Sequence, residues 1–130
     1  MRAHFVLYVR DQRSSGAFYR RVLDAEPTVD VPGMIEFQLG PDAVLGLMPE
    51  AGIRRLLSEL PDPTAGDRPP RAELYLVVAD PAAYHERALA AGARELSPLL
   101  DRDWGHRAAY SLDPDGHVLA FAALARRSTM

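Results

Sequence analysis

Four histidines, His4, His85, His106 and His117, and eighteen carboxylates are the side chains in this chain able to move protons or hold a metal ion. No cysteine is present, which removes thiol nucleophiles, thiolate metal ligands and disulfides together and leaves the redox compartment open. All fifteen basic residues are arginine, so no lysine offers Schiff-base chemistry. The histidines form no H-x-H or H-E-x-x-H ligand pair. Ser14, Ser15, Ser58, Ser97, Ser111 and Ser128 lack the context of a nucleophile elbow, and no catalytic serine is expected. His85 is expected on a solvated helix, and His106 and His117 beside turns. His4 and Glu73 are the pair that equivalent strands would present.

The elements that must position these groups read clearly. His4 to Arg10 is rich in aromatic and β-branched residues and reads as a strand. A helix capped by Ser14 or Ser15 runs to Leu23, with Phe18 and Val22 on its apolar stripe and Glu26-Pro27 as its stop. Met34 to Leu39 alternates, with Ile35, Phe37 and Leu39 on one face and Glu36 and Gln38 on the other. Gly40-Pro41-Asp42 turns the chain into Ala43 to Met48. Residues 49 to 71 hold five of the eleven prolines and one amphipathic stretch, Ile53 to Leu60, and read as a connector with a mobile arm at Asp62 to Arg71.

The pattern then begins again. Ala72 to Ala79 reads as a strand, and Asp80-Pro81 starts a helix that Gly92 ends. Arg94 to Leu99 and His106 to Leu112 are strands. Asp113-Pro114-Asp115-Gly116 is a turn, and His117 to Ala123 is the last strand. His4 to Val9 aligns with Glu73 to Val78, and Pro41 to Leu47 with Asp115 to Phe121. Two successive β-α-β-β-β modules follow: 1–48, the connector 49–71, and 72–124, closing on a shared cleft within a single domain. A net charge of −3 with scattered arginines argues against nucleic acid. No apolar run approaches a bilayer's thickness and no leader is visible, so a cytoplasmic protein is expected.

Val9 to Asp11 with His4, Phe18-Tyr19-Arg20-Arg21-Val22-Leu23, Ala88 to Ala93, Trp104-Gly105-His106-Arg107 and Asp113-Pro114-Asp115-Gly116-His117 occur in an order that resembles the vicinal oxygen chelate superfamily of glyoxalases, bleomycin-resistance proteins and extradiol dioxygenases. The resemblance implies an α+β fold of two modules forming a cupped mixed sheet over a pocket, commonly as a homodimer. It also implies one metal ligand on each of four strands, at His4, Gly46, Glu73 and Ala120. Gly46 and Ala120 have no side-chain donor, and Ala120 stands where the family's isomerases carry a base. A two-donor His4/Glu73 site would need Glu36, Gln38 or a substrate to complete it. The reading with no metal and no cofactor therefore leads, with His4 and Glu73 paired across the cleft.

Strand parity supplies the rest of the pocket, because side chains alternate between faces. His4, Val6 and Tyr8, then Val44, Gly46 and Met48, then Glu73, Tyr75 and Val77, then Val118, Ala120 and Ala122 share the cleft side, and His117 falls on the helix side. Gly46 and Ala120 are expected to clear space there. Trp104 could stack on a flat ligand or cover the core, and Arg107 could meet a ligand or pair with Asp101 or Asp103. The expected ligand-binding set is His4, Tyr8, Gly46, Met48, Glu73, Tyr75, Trp104, Arg107 and Ala120, with no catalytic and no metal-ligating residue. The leading function is metal-free binding of an aromatic drug or metabolite, as in bleomycin-type resistance proteins. The alternatives are a glyoxalase-type isomerase, lyase or dioxygenase with a different metal site, and a partner module docking through Ile53 to Leu57.

Overall fold

The computed structural model describes residues 1–59, 61 and 70–126. The chain divides into two compact units, Met1–Pro69 and Pro70–Met130. The first contains β1 (Ala3–Val9), α1 (Gln12–Leu23), β2 (Val29–Val31), β3 (Met34–Gly40), β4 (Ala43–Pro49) and α2 (Glu50–Leu56). The second contains β5 (Glu73–Val77), α3 (Pro81–Ala90), β6 (Arg94–Asp101), β7 (His106–Leu112) and β8 (Val118–Leu124). The α+β class and the repeated β-α-β-β-β order are those expected.

Each unit folds its strands into one four-stranded mixed sheet, ordered β1-β4-β3-β2 in the first and β5-β8-β7-β6 in the second. The first and last strands of each unit pair in parallel, and the other pairs are antiparallel. The repeat extends to register. His4 lies opposite Val44 and Val6 opposite Gly46, just as Glu73 lies opposite Val118 and Tyr75 opposite Ala120. In the first unit Ile35, Phe37, Leu45 and Leu47 turn inward with Phe18 and Val22 of α1, all buried. In the second, Leu74, Ala109, Leu119 and Phe121 form the buried helix side under α3.

Several boundaries differ from expectation for local reasons. Asp11, rather than Ser14 or Ser15, caps α1, because its carboxylate accepts from the Arg13 and Ser14 amides at 2.8 and 3.1 Å. The helix stops at Asp24, whose φ of 50° is left-handed, before Glu26-Pro27 is reached. β2 was not anticipated, since three residues are too short to show a period. α2 begins at Glu50, ahead of Ile53. The last strand begins at Val118 because His117 folds back on Asp113. On β1, Phe5 is half exposed although parity places it on the helix side. Most of the arm expected at Asp62 to Arg71 lies outside the described residues. Among the described residues no helix is long and apolar enough to cross a membrane.

Candidate functional site

The expected ligand-binding residues fall in both units. In the first, register places His4, Val6, Tyr8, Gly46, Met48, Glu36 and Gln38 on the face away from α1. His4 Nδ1 lies 3.5 Å from Glu36 Oε2, so its partner within this unit is Glu36, where Glu73 was expected. Gly46 does not open a space here. A Cβ at that position would lie 3.3 Å from both Met34 Sδ and Val6 Cγ2, whose side chains close over it from the neighbouring strands. In a concavity of about 500 Å³ in this unit, near Gln12, Arg20 and Asp30, Arg20 pairs with Asp30 at 3.2 Å and Glu26 at 3.1 Å.

The second unit carries a denser constellation on the face away from α3. Tyr75 and Tyr110 lie on either side of Ala120 in register, and Ala108 lies opposite Ala122. All three alanines are fully buried. Tyr75 on β5 reaches His106 on β7 although β8 runs between them, and methyl side chains on β8 allow its ring to cross. Tyr75 Oη lies 2.6 Å from His106 Nδ1, and the two rings stack with centroids 5.7 Å apart. Trp104 Nε1–H donates to the same phenol oxygen at 3.0 Å, yet 57% of Trp104 remains exposed. Ala120 therefore serves as a floor beneath aromatic rings rather than as a cleared metal position.

Glu73 shares this face. It is exposed and makes no hydrogen bond or ion pair among the described residues. Its charge acts on Tyr110, whose hydroxyl is pushed above the usual tyrosine value by burial first, then by Glu73 and Tyr75, against an opposing pull from Arg102. Arg102 stands over the Tyr110 ring at 5.1 Å and is tied to Ser97 Oγ and the Ala108 carbonyl. Arg107 falls elsewhere. Opposite Ala123, it has the parity of the helix side and pairs with Asp101 at 3.5 Å, as its simpler reading had it.

The remaining histidines have structural partners. His85, expected on a solvated face, is a buried residue of α3 with Nε2 2.8 Å from Glu95 Oε2. His117 Nδ1 lies 2.8 Å from Asp113 Oδ2, while Asp113 Oδ1 accepts from the Asp115 and His117 amides. Asp113, Asp115 and His117 are the one group of three potential metal donors among the described residues. The Asp113 carboxylate already braces this turn with both oxygens, which marks the trio as a turn brace.

His106, expected only beside a turn, and Tyr110 were not in the expected ligand-binding set. Alternation along His106, Ala108 and Tyr110 places both with Ala120 and was a usable signal. Parity does not reveal the Tyr75–His106 bond, which spans 31 residues.

A β-α-β-β-β unit used twice, each with a parallel outer pair and polar and aromatic groups on its open face, defines the glyoxalase-type α+β class. The chain belongs to the Glyoxalase/Bleomycin resistance protein/Dioxygenase superfamily, whose family model matches residues 2–121. A glyoxalase-related enzyme from Fulvimarina pelagi is similar in structure at 25% identity and a TM-score of 0.80, over 95% of this chain and 87% of that one. A glyoxalase/bleomycin resistance protein/dioxygenase from Nocardioides matches at 21% identity and 0.75, over 100% and 89%. A family enzyme from Burkholderia phytofirmans PsJN matches at 19% and 0.77, over 94% and 97%. No curated protein matches the sequence.

The superfamily implies a divalent ion in its metal-dependent members, and the residues at its ligand positions do not fit one. Gly46 and Ala120 carry no donor atom. Side chains roof the first, and the second is buried between two tyrosines in register. The four-ligand set cannot form from these residues.

Proposed function

We propose that this chain binds a small planar organic molecule without a resident metal and without transforming it, as bleomycin-type resistance proteins do. The Trp104–Tyr75–His106 hydrogen-bond chain on an alanine floor carries this reading. Aromatic surface with a few fixed polar groups is the usual make-up of an organic-ligand site. An exposed indole whose N–H is anchored is already oriented for stacking. Trp104 is the only tryptophan, so its fluorescence reports on this face alone. Titration with planar aromatic natural products should change that emission saturably for at least one compound class. Silence across a broad panel defeats the reading. A metal-dependent enzyme is the second reading, favoured by His4 and Glu36 standing 3.5 Å apart. Their two donors fall short of the three that catalytic zinc sites use.

A further inference from the structure

We propose that His106 Nε2–H is the specificity-determining donor of this face and that it takes a carbonyl-type oxygen on the planar ligand. The proposal rests on the reading of the face as a binding site. The hydrogen bonds on Tyr75 Oη point to the donor. An indole N–H can donate but not accept, so Tyr75 Oη must accept from Trp104 at 3.0 Å. We assign the phenol proton to the 2.6 Å contact with His106 Nδ1, so that Nδ1 accepts and the ring's proton sits on Nε2. The stack on Tyr75, at an interplanar angle of 18°, fixes the ring's orientation.

Nε2–H is therefore a donor of fixed direction, and it has no hydrogen-bond partner among the described residues. The ring is partly buried, and its Nε2 stays open to a ligand. A carbonyl oxygen is an acceptor that suits this donor. Tyr75 acts through His106 as a positioning residue.

Two bicyclic probes of similar size, 1-indanone and indane, differ by one carbonyl oxygen. Proton–nitrogen NMR follows the single Trp104 indole resonance as each is added. Indanone should bind about tenfold more tightly than indane, the upper range for one neutral hydrogen bond. His106→Phe should erase that difference. In the unmodified chain near pH 8, imidazole nitrogen shifts should show the Nε2–H tautomer, and Tyr75→Phe should give a mixture of tautomers. Equal affinities in the unmodified chain, a difference that survives His106→Phe, or a proton on Nδ1 would each overturn the donor assignment while leaving the face as a binding site. No response of Trp104 to either probe removes both readings.

Discussion

Tyr110 shows how one side chain registers the charge on this face. Its hydroxyl is held above the usual value near 10, because burial penalises the phenolate and Glu73 repels it. Glu73→Gln removes one of the raising influences, so Tyr110 should ionise at lower pH in that variant than in the parent chain. The measurement is a titration of ring-labelled tyrosine by NMR, with Tyr110→Phe identifying the resonance. The linkage has a definite sign. A group whose folded value is raised keeps its full contribution to stability below its unfolded value, and that contribution is lost as pH rises through the folded value. Parent stability should therefore fall above about pH 10, and less so in Glu73→Gln. An unchanged Tyr110 titration would show that Glu73 does not act on it. At this scale the sequence was readable where a residue's role followed from its own strand: Tyr75, Ala120 and Glu73 share a face as alternation required. Gly46 was not readable, because what fills its space comes from Met34 on another strand. His85 misled because a buried imidazole can be recognised only once its carboxylate partner, Glu95, is in place.

Among the elements, the α1–sheet contact sets two known effects against each other. Gly16 is buried on α1, and a Cβ there would lie 2.7 Å from Ile35 Cδ1 of β3. Alanine in a helix interior normally gains about 1 kcal/mol over glycine. Overpacking a filled interface costs about 1–3 kcal/mol. Ile35 is only 4% exposed, and overpacking should win. Gly16→Ala should lower the unfolding midpoint in urea. Ile35→Val, which removes the clashing methyl and alone costs about 0.5–1.5 kcal/mol, should turn the same Gly16→Ala change stabilising. Additive effects in the double variant would remove the clash from the account. Elements were legible wherever the period was long or the turn chemistry strong: Asp80-Pro81 opens α3 as read, and the turn at Asp113 separates β7 from β8. They were not legible where competition was local. Asp11 outcompeted two serines for the α1 cap because its carboxylate reaches two amides.

At the scale of the molecule, the repeat is a property of backbone register that the two units fill with different side chains. Register equates Gly46 with Ala120 and Glu36 with Tyr110, so one frame carries a His4–Glu36 pair in one unit and an aromatic hydrogen-bond chain in the other. A divalent-ion titration asks whether the whole chain still holds a metal. An ion that binds the folded state stabilises it by an amount set by its concentration relative to Kd, about 2.7 kcal/mol at a hundredfold excess. For a chain of this size that corresponds to a rise in Tm of about 10 °C. His4 and Glu36 are partly exposed, with side-chain exposures of 42% and 22%, and one imidazole with one carboxylate holds an ion weakly. Zinc, nickel or manganese at 0.1 mM, roughly a hundredfold over a micromolar Kd, should therefore shift Tm by less than about 1 °C. EDTA should leave both Tm and the Trp104 titration unchanged. A rise near the larger figure that His4→Ala abolishes would establish a metal site in the first unit and replace metal-free binding with the enzyme reading.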